Sequence, residues 1–410
     1  MDNPSHDVWI TGVGLLSCAG EGPEAHLSMF DQAGNPPLIE AEKFAPYPVH
    51  ALAPIDMSRQ IAKKSDLKQM ERWQHIGVYA AGLALSDAGI ARNGDLLAKT
   101  HLIVAAGSGE RDASVDAKVL EAIASRGDTA LSAKEILPTA LRPTLFLAQL
   151  SNLLAGNISI VHNVTASSRT FMGEEMAGLS AIENAVRRIA SGQAQMILVG
   201  GALNAERKDL LLGYELGCNL WPRDYAPVWQ RQSAGGGFIP GSAGAFLVLE
   251  SRAHAEQRGA SPYARVAAVA TDRARRTEPG QIRRILQQLY RRVCANLAPM
   301  PIAVLSGASG VEQATWEERD FLDDLDADGF PPAVRTFGSR LGHTVEAHFP
   351  LGLGLAALAL RRGEFFAPLG DDGIEDVTTA PLERILVTGV GHWRGEGIAI
   401  LERVNGGSAN

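Results

Sequence analysis

The feature that most constrains this chain is a strand signal, a sharp glycine turn and an amphipathic helix in immediate succession. Arg169 to Phe171 leads into Gly173, and the spacing predicts a helix from about Glu175 to Ser191. Met176, Leu179, Ile182, Val186 and Ile189 recur at three- and four-residue intervals, so they share one broad face. Gly192 ends the helix, and Gln195 to Gly201 reads as a buried strand. Strand, helix and strand in this order imply a right-handed crossover if the two strands lie parallel in one sheet. A helix head of this kind lowers a thiol's pKa and suits a nucleophile. Here it presents Glu175, with no cysteine or serine in the turn.

The same alternation runs along most of the chain. Val8 to Ile10 reads as a strand entering a glycine turn at Gly12-Val13-Gly14, and His101 to Ala106 as one entering Gly107-Ser108-Gly109. Neither turn has a phosphate-loop pattern, so both are read as tight backbone turns. Helices are expected from Glu71 to Ala88 and from Gly280 to Leu297, and strands at 245–250, Tyr263 to Val269 and Ile302 to Leu305. Ile385 to Gly391 echoes Ile10 to Gly14. The 410 residues exceed one usual core, and both halves mix strands with helices. A duplicated architecture follows, with halves at 1–255 and 256–410. Asn219 to Gly241, rich in Gly, Pro and aromatics, reads as a long functional or interface loop.

A net charge of −8 without a Lys/Arg tract argues against nucleic acid or an anionic membrane as principal partner. The opening residues lack a signal-peptide pattern, and the apolar run Pro350 to Leu360 is too short to span a bilayer and reads as a buried helix. Cys18, Cys218 and Cys294 are scattered, which fits a reducing cytoplasm and supports neither zinc nor disulfides. No metal or cofactor is expected. His343 and His348, five apart, do not share one helix face.

Five segments, in order, resemble the β-ketoacyl–acyl carrier protein synthases, condensing enzymes of the thiolase fold. Val8 to Gly20 resembles the family's opening strand. Gly178 to Gly201 resembles the helix, glycine stop, strand and GG turn that follow its Ala-Cys motif. Gly237 to Ala245 followed by Leu247 to Glu250 resembles its GFxxGEGAG-then-LVLE segment. Gly338-Ser339-Arg340-Leu341-Gly342-His343 resembles KSxxGH, and Gly389-Val390-Gly391-His392 stands where GFGG is expected. The resemblance implies a duplicated, layered αβαβα fold, an acyl carrier protein as partner and a homodimer or a heterodimer with an active synthase.

Residue by residue, the resemblance implies lost chemistry. Glu175 falls on the catalytic cysteine without a gap, an alternative register on Ser167 being eight residues too long for the same helix. Ser306 falls on the first catalytic histidine and His343 retains the second. Gly338 replaces the motif's lysine, Val390 its phenylalanine and His392 its last glycine, which places Gly338, Val390, Gly391 and His392 at the substrate-binding positions. Condensation needs a thiolate to carry the acyl group and two imidazoles to support decarboxylation. A carboxylate forms no thioester. The leading expectation is a non-condensing, chain-length-factor-like partner of an active synthase. The alternatives are a malonyl-carrier-protein decarboxylase, a silent scaffold, or an active synthase if Ser167 or Cys218 enters the pocket.

Overall fold

The computed structural model describes residues 6–32, 37–142, 145, 149–273, 275–298, 300, 302–327, 332–369, 374–378 and 381–404. The first five residues of the chain start considered above lie outside them. Eleven strands are defined: β1 Val8–Ser17, β2 Gly20–Glu21, β3 His101–Ala105, β4 Ser168–Phe171, β5 Met196–Leu203, β6 Ala243–Ser251, β7 Ala264–Asp272, β8 Ala303–Ser306, β9 Ala333–Thr336, β10 Arg384–Val390 and β11 Glu396–Glu402. They form one mixed sheet in the order β4-β3-β5-β6-β1-β7-β11-β10-β8-β9, with β2 paired to β1. Read inward from either end, the two runs of five match. β3 lies parallel to β4 and β5, as β8 lies parallel to β9 and β10, and the remaining junctions are antiparallel. The two runs meet where β1 pairs with β7. The expected division at residue 255 falls in the short helix Arg252–Gln257 that links them.

Helices occupy three layers around this sheet. Arg72–Asp87 packs on β1, β5 and β6, and Gln281–Cys294 packs on β7 and β11. Between the two halves lie Glu175–Ala190 and His348–Arg362, which touch each other and strands of both runs. Their central position explains their composition. His348–Arg362 is buried on every side from His348 to Leu360, so its sequence is apolar all round rather than striped. The expected buried helix is this one. Glu175–Ala190 likewise sends Leu179, Ile182 and Ile189 into the largest core cluster.

One sequence reading needs correcting here. Gly12 and Gly14 do not form a turn: β1 runs through them to Ser17. A Cβ at Gly14 would sit 2.1 Å from the Ala80 carbonyl oxygen, so the glycines let helix Arg72–Asp87 lie directly on the strand. The 219–241 segment is irregular over most of its length, as expected of a loop. It holds the helix Val228–Ser233, and Trp229, Phe238 and Ile239 are buried because bridges Leu220 to Phe238 and Pro240 to His343 tie it down. His343 and His348 share no helix face, as expected, but the fold brings their rings together, as described below. Among the described residues no helix is long and apolar enough to cross a membrane, and all three cysteines are free.

Candidate active site

The strand β4 ends at Phe171 and the chain turns through Gly173, at φ 127°, and Glu174, at φ 57° and ψ −134°. A non-glycine residue held there carries strain of order 1–3 kcal/mol. This elbow puts Glu175 at the first position of helix Glu175–Ala190 with its side chain turned inward, 4% exposed. The dipole at that end favours a negative charge by about 0.3–1 kcal/mol.

Two imidazoles clamp this carboxylate. Its Oε1 lies 2.6 Å from His343 Nε2 and 2.8 Å from His392 Nδ1, and it accepts the His392 backbone N–H at 3.3 Å. Oε2 has no hydrogen-bond partner among the described residues. Burial would push the Glu175 carboxyl up, but the His392 charge and the bonds from both rings outweigh it and hold the pKa well below the usual range. Burial likewise disfavours charge on His392, yet Glu175 reverses the sign and raises it. The pair is a buried carboxylate–imidazolium contact. Phe238 walls it, its ring centroid 5.0 Å from that of His343 and 5.9 Å from that of His392.

His348 is the residue that sequence reasoning missed. Counting along one helix separates it from His343, but the intervening chain is a short 3-10 turn, Val345–Ala347, with Val345 at φ 43°. The ring centroids are therefore 4.4 Å apart. His348 Nε2 lies 3.1 Å from the Gly307 carbonyl oxygen. Burial and the neighbouring His343 hold its pKa well below the ordinary value, so this imidazole is neutral. Gly338 borders it: a Cβ there would lie 3.2 Å from the Ala308 oxygen and 3.7 Å from the His348 ring.

The structure does not bring Ser306 to the Glu175 carboxylate. Its hydroxyl donates to Glu318 Oε1 at 2.7 Å, and Thr388 donates to the same oxygen. Burial pushes Glu318 up to about 7 despite the bonds from Thr388 and Ser306, and no cation pairs with it among the described residues. Val390 is buried in the core cluster beneath helix Gln281–Cys294. Gly391 sits beside Glu175, its own N–H bonded to the Gly395 carbonyl. Ser167 is exposed at the entrance to β4 and lies 2.6 Å from His101 Nδ1. Cys218 is exposed. Neither lines the cleft in front of Glu175.

That cleft has a volume of about 500 Å³, and its walls include Met172, Glu174, Arg207, Tyr214, Glu346 and His392. Glu346 is buried against glycines. A Cβ at Gly178 would fall 2.5 Å from its carbonyl oxygen, and one at Gly107 would fall 2.4 Å from Oε1. Burial, reinforced by the charges of Glu175 and Glu174, pushes Glu346 up to about 7. Arg207 is held by Asp209 and the Gly109 carbonyl. The site thus offers an immobilised carboxylate, three buried imidazoles and a polar cleft, with no thiol.

Sequence comparison gives the family. The family model "Beta-ketoacyl synthase, N-terminal domain" matches residues 45–255, just over half of the 410-residue chain. The chain is 27% identical over 266 residues to a 3-oxoacyl-[acyl-carrier-protein] synthase 2 of Vibrio harveyi, covering 63% of this chain and 60% of that protein. It therefore spans about 60% of the length of that relative. It is 26% identical over 359 residues to the tetracenomycin polyketide synthase ketoacyl synthase beta subunit of Streptomyces glaucescens, covering 82% and 81% of the two chains. Its fold matches a structure titled the ishigamide ketosynthase/chain length factor, with a TM-score of 0.78 at 22% identity over 97% of this chain and 99% of that one. The layered, mixed sheet is thus the thiolase-like fold of ketosynthases, and the chain belongs to the β-ketoacyl synthase family.

Proposed function

We propose that this chain is a non-condensing member of the family, a chain-length-factor-like partner of an active β-ketoacyl synthase in fatty acid or polyketide synthesis. The observation that carries the reading is Glu175: the position matched to the nucleophile holds an ionised carboxylate whose Oε1 is bonded to His343 and His392. Such a group neither forms a thioester nor leaves its histidines free to act on malonate. The ion pair and the Ser306–Glu318 contact support loss of condensation, because the groups that would perform it are engaged elsewhere. Glu175, Ser306 and His343 are the family's catalytic positions in this reading, and Gly338, Val390, Gly391 and His392 flank the substrate.

The partner follows from the same reading. The edge strand β4 ends the sheet with no further strand beyond it among the described residues, which supports continuation of the sheet into a second, homologous chain. A heterodimer with the active synthase, visited by an acyl carrier protein in the cytoplasm, is the proposed assembly, each chain being a duplicated unit divided near residue 255. Co-expression with a synthase from the same gene neighbourhood tests it. Copurification as a 1:1 pair, and a changed product length when this chain is omitted, are expected. Failure to copurify with unchanged product length refutes it. Conversion of malonyl carrier protein to the acetyl form by this chain alone would instead make it a decarboxylase.

A further inference from the structure

The edge strand β4 is flanked as a contact surface is, and charged against contact with itself. Among the described residues it pairs with β3 alone. Ile160, on the helix Leu153–His162 that touches β4, is 66% exposed, and Met172, which follows the strand, is 67% exposed. Large apolar side chains beside an unpaired edge mark a surface that another chain covers.

The charges on this edge bear on which chain that is. Side chains alternate along a strand, so Arg169 and Phe171 share one face of the sheet. Phe171 packs against the core cluster to which helix Glu175–Ala190 contributes, so Arg169 lies on the side of that helix. Its charge acts on Arg188 of the helix, and both arginines act on His101 at the start of β3. Burial and the Arg169 charge push the Arg188 guanidinium down from its ordinary value, with no carboxylate opposing them. Neither arginine is ion-paired among the described residues.

A second copy would meet these charges twice over. In an antiparallel pair opposed residues share a face, so a two-fold axis continuing the sheet passes through a residue of β4. If that residue is Ser168, Arg169 or Thr170, the two Arg169 side chains stand directly opposite or one diagonal apart. Their Cβ atoms are then at most about 8 Å from each other. Arg188 adds a further positive charge from each chain, and like charges at this range oppose association. A homologous chain with carboxylates at the matching place meets the same arginines with the opposite sign.

We propose that Arg169 and Arg188 make the β4 edge selective for a homologous chain presenting carboxylates there, and that they reject a second copy of this one. The inference rests on the partner reading above and names the chemistry by which that partner is recognised.

Sedimentation of the purified full-length chain tests the rejection without any partner. Self-association should be weak, and tighter as salt screens the arginines. Arg169→Gln with Arg188→Gln should self-associate about tenfold or more tighter than the parent. Arg291→Gln with Arg292→Gln, exposed on helix Gln281–Cys294, removes the same charge elsewhere and should not. Titration with the neighbouring synthase tests the attraction: Arg169→Glu with Arg188→Glu should bind it about tenfold or more weakly. Arg169 is exposed, so its single variants remain informative if those of the half-buried Arg188 fail to fold. Self-association of the parent as tight as that of the neutral variant overturns the proposal. So does synthase binding that charge reversal leaves unchanged, an outcome that keeps the partner reading intact. A synthase that does not bind the parent chain at all is the separate failure of that reading.

Discussion

Replacing Glu175 by Gln tests the clamp most directly, because the side chain keeps its shape and loses only its charge. In the native protein Oε1 serves both His343 and His392, and both rings are buried. The amide leaves His392 as a buried cation deprived of its nearest carboxylate, with Glu174 the remaining carboxylate beside it and Arg276 opposing. Breaking a buried pair in this way costs about 3–5 kcal/mol. The new NH₂ also takes the place of Oε2, which has no partner among the described residues, and an unsatisfied buried donor costs roughly 1–3 kcal/mol on its own.

The pH dependence separates these two contributions. His392 has a folded pKa raised above 6.5, so its share is complete below that value and fades as pH rises through the raised one. Glu175 has a folded pKa depressed below 4.5, so its share is complete above 4.5 and fades as pH falls through the depressed one. The ion pair therefore stabilises most between about 4.5 and 6.5. Urea unfolding should show Glu175→Gln destabilised by about 3–5 kcal/mol at pH 5.5–6, shrinking to about 1–3 kcal/mol at pH 9. A variant as stable as the parent at pH 6, or a loss that does not depend on pH, would refute the clamp.

Glu346→Gln should act in the opposite direction. A carboxyl pushed up to about 7 from 4.5 destabilises increasingly as pH rises between those values, so the variant should gain up to about 3 kcal/mol at pH 8 and little at pH 4, read from the same unfolding curves. Glu175→Cys should not restore condensation, because Ser306 stays bonded to Glu318 and Gly338 supplies no ammonium. Assayed with acyl and malonyl carrier proteins, it should form no ketoacyl product above background, and measurable turnover would contradict the reading of several lost groups.

The sequence by itself determined the alternation of strands and helices, the buried helix near residue 355 and the helix start at Glu175. These are local matters: hydrophobic period, glycine stops and the fixed length of the helix from Glu175 to Gly192. The resemblance, which set the length expected before Gly192, put Glu175 and not Ser167 on the nucleophile's position, and Ser167 lies exposed at the entrance to β4. Tertiary structure decided what distant segments do to one another. It turned the expected glycine turn of β1 into a contact face for helix Arg72–Asp87, because packing distance is invisible to a one-dimensional pattern. It folded the 219–241 segment into the wall of the site, and it brought His348 beside His343 through a 3-10 turn that a uniform helical count excludes. Above all, it joined Glu175 to His343 and His392, 168 and 217 residues away. Three lost or altered positions read separately suggested a site emptied of chemistry. Their geometry reveals a buried charge pair that exists only once the two halves of the sheet close around the central helices.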